Sequence, residues 1–304
     1  MPSQKLAKVF KSNDLNQSNF GDFGLSAYRV FLNLITKIQR YDKNNELVTN
    51  DIVNREYSLS ATEYAKEFNI PRNTAYNILK EVIDKLLKTS LSLPVELGLL
   101  KINVCSQALY IKDKGQINVR FTEEIMPHLA EIKNRFTMYN LCEVSGFNSI
   151  YTTRFYELLM QYKTTGILSI SVSKLREVLG CINNYKLYND FKRHGFGHAV
   201  KEINSQYEIG ITFEEIKKGR AVEKLEFSFK KTIKNQVYDP VKKKTRTQLT
   251  RPKRKTSKNS DDVKTSTTSI KNEINKTQED KIISEPVRAF RDLAEKLRIN
   301  KDLQ

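Results

Sequence analysis

Cysteine is scarce in this chain. Cys105, Cys142 and Cys181 are three in number and far apart, and no C-x-x-C occurs. No disulfide framework follows from an odd set so spaced, and a reducing cytoplasm is the expected setting. Long apolar runs are missing too. Nothing approaches the stretch of about eighteen apolar residues that a membrane-spanning helix needs. Residues 1–20 are polar and lack the apolar core of a signal peptide. Histidine is rare: His128, His194 and His198 are the whole set. His194 and His198 would share a helix face, but no third ligand accompanies them, so no metal is expected. There is no G-x-x-x-x-G-K-[ST], which leaves a P-loop nucleotide site unsupported. The fourteen tyrosines raise the idea of a nicking enzyme that attacks phosphate through tyrosine. Such enzymes pair closely spaced histidines around a metal, and His-x-His is absent. Most of the tyrosines sit at helical core spacing, so packing is their expected role. The reading is a non-enzymatic cytoplasmic protein with no cofactor and no membrane partner.

Positive charge, by contrast, is abundant. The 304 residues carry a formal net charge of +17 and a mean hydropathy of −0.54. The excess is concentrated. Residues 230–260 hold 12 Lys and Arg against one acidic residue, whereas residues 261–304 hold 9 of each sign. Such a block attracts a polyanion by releasing counterions from nucleic acid, or binds an acidic membrane surface.

Periodicity divides the rest. Tyr28, Phe31, Leu32, Ile35 and Ile38 predict a helix over 25–40, followed by a polar loop over 42–56. Ser60 with Glu63 is a capping-box signature for a short helix over 61–68. Asn69-Ile70-Pro71 ends it, and Arg72 opens a longer helix to about 87. Alternation at Leu100, Ile102 and Val104, and at Ile117, Val119 and Phe121, predicts two strands. A turn at Lys112–Gly115 leads into the second of them. The order then repeats. A connecting helix is expected over 126–140 and a helix over 149–163. Short and long helices follow over 171–179 and 185–205. Strands at 209–213 and 225–229 flank the turn Lys217-Lys218-Gly219-Arg220. Ser60 and Ser171 play equivalent parts, as do Asn73 and Asn184, each pair 111 residues apart.

Helix, turn, basic helix and hairpin make a winged helix, so the expected fold class is α+β, mainly α: two tandem winged-helix domains with a disordered basic C-terminal tail. The expected boundaries are a polar arm over 1–24, domains over 25–125 and 126–230, a tail over 231–284 and a short helix over 285–304.

The second helix of such a unit presents polar residues to base edges, where Arg and Lys match guanine and Asn matches adenine. In the second domain Lys186, Asn189 and Arg193 fall at i, i+3 and i+7, with Lys192 near enough to reach phosphate. Leu187, Phe191, Val200 and Ile203 are expected to hold the opposite face to the core. The wing tip Lys217, Lys218 and Arg220 suits phosphate contacts, which position without specifying. Arg72, Asn73, Tyr76, Asn77 and Lys80 offer a similar face in the first domain, weakened by Glu81 and Asp84. Taken alone, a solvated surface helix accounts for the second domain's face equally well, and a structural helix in a dimerisation or docking domain for the first.

In order and spacing, five segments resemble the initiator replication proteins of iteron-bearing, theta-replicating plasmids, the RepA, RepE and Pi type. They are Phe121-Thr122-Glu123-Glu124-Ile125, Tyr151 to Leu159, Tyr188 to Arg193, Ala199 to Asn204 and the closing Lys217 to Arg220 hairpin. The resemblance covers about residues 25–230. It implies a replication initiator whose winged helices bind repeated origin sequences as double-stranded DNA. It also implies opening of adjacent AT-rich DNA, recruitment of the host replication initiator and helicase, and a monomer–homodimer equilibrium in which dimers bind an operator and repress the protein's own gene. A double winged-helix repressor without initiator activity is the alternative. In the family an aliphatic pair and a proline usually stand between the positions of Arg193 and Ala199. Here the chain has His194-Gly195-Phe196-Gly197-His198. Each glycine inside a helix costs roughly 1 kcal/mol against alanine. A break is therefore expected there, with weaker DNA binding, and aliphatic residues at 195 and 196 are expected to stabilise.

Overall fold

The computed structural model describes residues 7–21, 23–38, 54–95, 97–130 and 135–230. The tail expected over 231–284, the helix expected over 285–304 and residues 42–53 of the expected polar loop lie outside the described residues.

The chain begins with strand β1 (Lys8–Ser12) and the single turn α1 (Asn13–Asn16). Helix α2 (Gly24–Thr36) buries Tyr28, Phe31, Leu32 and Ile35, the stripe its periodicity predicts. Strand β2 (Glu56–Ser60) leads into α3 (Ala61–Phe68). The capping box forms there. The Glu63 N–H donates to Ser60 Oγ at 3.2 Å, and the Ser60 N–H donates to the Glu63 carboxylate at 2.9 Å. These two bonds satisfy N–H groups that have no partner within the helix. Asn69 stops α3 in the left-handed region at φ 48, and Pro71 opens α4 (Arg72–Lys88). Two hairpins follow, β3 (Ser90–Val95) with β4 (Gly98–Asn103) and β5 (Cys105–Ile111) with β6 (Gln116–Phe121).

The second half runs β7 (Phe136–Asn140), α5 (Cys142–Ser145), α6 (Ile150–Gln161), β8 (Ile167–Ser171) and α7 (Val172–Leu179). A single turn α8 (Tyr188–Asp190), a wide turn over Phe191–Phe196 and α9 (Gly197–Gln206) come next. Strands β9 (Thr212–Lys218) and β10 (Ala221–Ser228) close the folded part. The two three-stranded sheets share one topology, β2-β6-β5 and β8-β10-β9. These are two winged-helix domains, and the duplication legible at Ser60 and Ser171 is real at the level of the strand, cap and helix around each. The match of Asn73 with Asn184 fails. Asn73 lies inside α4, whereas Asn184 lies in a turn that reaches Leu187 before its helix begins.

Two expectations are corrected. The polar arm is built into the core: β1 pairs antiparallel with β7, and Val9, Lys11, Leu15 and Phe20 are buried. The described residues of 126–140 do not form the expected connecting helix. Residues 126–128 form one 3-10 turn and 136–140 form β7. Both misreadings have one cause. β1 and β7 pair only with each other and lie far apart in sequence, so neither shows its partner locally, and the buried Lys11 further hides the alternation of β1.

That lysine belongs to a fully buried charge cluster. Lys11 Nζ lies 2.7 Å from Glu157 Oε1 and donates to Tyr28 Oη at 2.7 Å. Arg154 Nη1 lies 2.7 Å from Glu157 Oε2. Tyr28 and Tyr139 donate their hydroxyls to the same carboxylate. Arg154 also donates to the carbonyls of Asn16, Ser18 and Val178, so α6 ties the N-terminal segment to the end of α7. Burial raises the Glu157 carboxyl, but the two cations outweigh it and hold the group below its ordinary value. Two cations share one anion, and the flexible one yields. Burial pulls Lys11 down, attraction to Glu157 opposes this and repulsion from Arg154 adds to it, leaving Lys11 at about 7.

A pH dependence follows. Between pH 7 and the ordinary lysine value of 10.5, the unfolded chain holds a proton that the folded chain has released, so Lys11 makes stability rise with pH across that window. Below 7 the fold carries a buried ammonium. Urea unfolding of the natural chain and of Lys11→Met at about pH 6 and about pH 9 should show the gap between them shifting in favour of the natural chain at the higher pH. A constant gap would give Lys11 an ordinary pKa.

Candidate nucleic-acid interface

The second winged helix starts from its short helix. Ser171 Oγ accepts from the Lys174 N–H at 3.1 Å, and Gly180 ends α7 at φ 72. The turn to the next helix, 180–187, is longer than the three-residue turn 69–71 of the first domain. Arg176 organises it. Its Nη1 donates to the carbonyls of Asn184 (3.1 Å) and Tyr185 (2.7 Å), and its Nη2 to those of Lys186 (3.5 Å) and Leu187 (3.4 Å). The guanidinium lies 4.3 Å from the Phe191 ring centroid. One planar fork thus supplies the donors that this turn's carbonyls need. Tyr185, at φ 55, stacks on the His194 ring at 5.9 Å.

The following segment is helical but broken. Gly195 leaves helical geometry with φ −87 and ψ −107, so the backbone over 191–196 kinks between two helical stretches. The expected break is there, but its meaning is reversed. A Cβ on Gly197 would lie 2.0 Å from the Lys192 carbonyl oxygen, and one on Gly195 would lie 2.6 Å from Cδ2 of the buried Phe191. Phe196 is fully buried, with its ring 5.2 Å from those of Phe191 and Phe213 and 5.8 Å from that of Phe227. The glycines permit a tight wide turn that swings Phe196 into the core. An aliphatic side chain at 195 is therefore expected to cost stability, because its Cβ meets the Phe191 ring.

Of the residues expected to read DNA here, Lys186, Asn189 and Arg193 are exposed. They do not share one regular helix face, because Lys186 precedes the helix and the wide turn follows Asn189. Lys192 is also exposed at its edge but is engaged. Its Nζ lies 2.7 Å from Glu215 Oε1 on β9 and 5.6 Å from the Phe213 ring centroid. Tyr188 Oη donates to the same carboxylate at 2.8 Å. The bond from Lys192 is the main reason the Glu215 carboxyl sits below its ordinary value. Lys192 and Tyr188 therefore brace the helix against the wing. Lys217, Lys218 and Arg220 stand exposed at the wing tip, where Gly219 takes φ 63 and Lys218 reaches Glu223 at 3.5 Å. Leu187 departs from expectation: it is 69% exposed instead of facing the core.

In the first domain Arg72, Asn73, Asn77 and Lys80 are exposed along α4. Tyr76 is only half-exposed. Its ring occupies the space where a Cβ on Gly115 of the wing turn would sit, and it accepts from Arg72 Nη2 at 2.9 Å. Tyr76 thus joins α4 to its wing, as Tyr188 and Lys192 do in the second domain. Both units present a helix start beside a hairpin tip, the shape that enters a major groove while the wing flanks it.

Sequence reading missed Arg176, Glu215 and the exposure of Leu187. Only the position of Arg176, on a capped helix before a long turn, gave any sign of its role. Among the described residues no group of three His, Cys, Asp or Glu could hold a metal ion, and no helix is long and apolar enough to cross a membrane. The histidines have other contacts: Ser12 Oγ lies 2.8 Å from His128 Nδ1, and His198 lies 4.0 Å from Glu202.

Comparison with known proteins agrees with this geometry. Residues 8–160 match the family model described as Initiator Replication protein, WH1, and residues 171–229 match Initiator Rep protein, WH2. A replication initiation protein of Escherichia coli is 26% identical over 180 residues, covering 57% of this chain and 55% of that protein. The match thus spans little more than half of that relative's length. An uncharacterized 27.6 kDa protein of Escherichia coli is 23% identical over 66% of this chain and 87% of its own length. Among solved structures, the Pi initiator protein in complex with iteron DNA aligns with a TM-score of 0.61 and 25% identity. It covers 74% of this chain and 98% of that one.

Proposed function

The chain belongs to the initiator replication protein family, and on that premise we propose that it is a plasmid replication initiator that binds repeated origin DNA through both winged helices. The observation that carries the reading is the duplicated unit itself, with an exposed polar helix start beside a hairpin in each copy and a basic wing tip in the second. The likeness to an initiator bound to iteron DNA, over nearly all of that chain, supports it. In this reading Asn189 and Arg193 contact base edges and Lys186 a base edge or phosphate. Lys217, Lys218 and Arg220 hold the backbone. Arg72, Asn73, Asn77 and Lys80 make the first domain's contacts, while Tyr76 and Lys192 act mainly by holding each helix to its wing. The protein works by binding rather than by catalysis. Opening of the origin, recruitment of the host initiator and helicase, and repression of its own gene by a dimer complete the proposal, and all three rest on family membership.

A footprint on the DNA flanking the gene tests the core of it. Tandem protected repeats spaced near two helical turns, about 20 base pairs, are expected on one face of the duplex. Protection of a single inverted repeat alone would favour a repressor without initiator activity. Asn189→Ala and Arg193→Ala should each weaken binding to a repeat by about 1–3 kcal/mol and relax preference at one position. Lys217→Ala should weaken all sequences alike and lower the salt slope by about one. Equal effects of Asn189→Ala and Arg193→Ala on chosen and scrambled duplexes would remove the assigned base readers.

A further inference from the structure

Leu187 has no role in the fold that accounts for its position. It is the residue just before α8, extended at φ −74 and ψ 142, and its side chain is 69% exposed. The backbone beneath it is fixed. Its carbonyl accepts from the Phe191 N–H at 3.1 Å and from Arg176 Nη2 at 3.4 Å. The other exposed apolar residue of this turn, Ile182, lines a polar cavity shared with Thr89, Ser92 and Lys101 of the first domain, so its exposure faces that cavity. Leu187 is not among that cavity's lining residues. It stands between the exposed Lys186 and Asn189 at the leading end of the reading segment.

A branched aliphatic side chain exposed at that end, on a backbone whose carbonyl is bonded twice, is available to whatever the helix start enters. In a major groove the apolar feature of the base edges is the C5-methyl group of thymine, while the other exposed groups are donors and acceptors. We propose that Leu187 is a specificity-determining residue that packs on a thymine methyl beside the base contacted by Asn189. The inference rests on the DNA-binding reading above. It deepens that reading, because the polar residues read hydrogen-bonding patterns whereas Leu187 reads a methyl group.

The test uses the full chain and duplexes enriched from a random pool by binding to it. Each thymine of the enriched sequence is replaced singly by deoxyuridine, which removes the methyl and nothing else. One replacement should weaken binding about fourfold, the equivalent of about 0.8 kcal/mol for one buried methylene-sized group. Leu187→Ala should bind the thymine duplex about fourfold more weakly and lose its response to that one replacement, with an unchanged melting temperature. If every deoxyuridine duplex binds like its parent, or Leu187→Ala still discriminates, the inference falls while sequence-selective binding stands. If the pool yields no enriched sequence, the DNA-binding reading falls and this inference with it.

Discussion

Glu157→Gln is expected to lower the free energy of unfolding by about 3–5 kcal/mol, because it leaves buried cations without their shared anion. The substitution keeps the shape of the side chain but only one acceptor oxygen, and Tyr28 and Tyr139 donate to different oxygens, so one of the two hydroxyls loses its acceptor. It removes the negative charge and sets an amide donor among donors at one of the two oxygen positions. Lys11 escapes part of the penalty, since a lysine already at about 7 can lose its proton. Arg154 cannot, because a guanidinium does not deprotonate in proteins. The melting temperature should fall by on the order of 10 °C for a folded part of this size. Adding Arg154→Met to Glu157→Gln should restore part of the loss, since an apolar replacement removes the unpaired charge as well. A double variant no more stable than the single one would show that the hydrogen bonds of Arg154 to Asn16, Ser18 and Val178, rather than its charge, dominate the site.

Gly197→Ala is the second large effect, and here two magnitudes compete. Alanine gains roughly 1 kcal/mol of helix propensity over glycine. Against that stands a Cβ placed 2.0 Å from the Lys192 carbonyl oxygen, a backbone atom that cannot swing aside. Relief requires the turn over 191–196 to rewind, which rotates Phe196 out of contact with Phe191, Phe213 and Phe227. Overpacking and backbone shifts of this kind typically cost about 1–3 kcal/mol, and the loss of Phe196 packing puts the net change toward the upper end. Denaturant unfolding should show a lower midpoint with the same slope. Binding to the selected duplex should weaken as well, since Arg193 rides on the same turn. A variant as stable as the natural chain would mean that a regular helix fits this site.

Much of the architecture was open to reading from spacing alone. Ser60 with Glu63, Asn69 before Pro71, and the stripe from Tyr28 to Ile35 are signals between residues a few positions apart, and stereochemistry acts directly at that range. The repeat of Ser60 at Ser171 carried the duplication, and the glycines at 195 and 197 marked the break. The strands β1 and β7 were not legible, because each is short and its partner lies on the other side of the first domain's sequence. Lys11 was misplaced for the same reason: a lysine reads as surface until Glu157 and Tyr28 are seen around it. Lys192 and Tyr76 looked like free outward contacts, and only the wings, with Glu215 and Gly115, show that each is engaged against its wing.

The sequence by itself determined two winged helices in tandem, the caps that bound their short helices, and the polar and basic residues offered at each helix start and at the second wing tip. Only the tertiary structure decided which of those residues are engaged in holding helix to wing, which way Phe196 turns, and that a lysine lies in the core. Local pattern records the preference of the backbone, but whether a polar side chain meets solvent or a buried partner is set by groups brought near from distant parts of the chain.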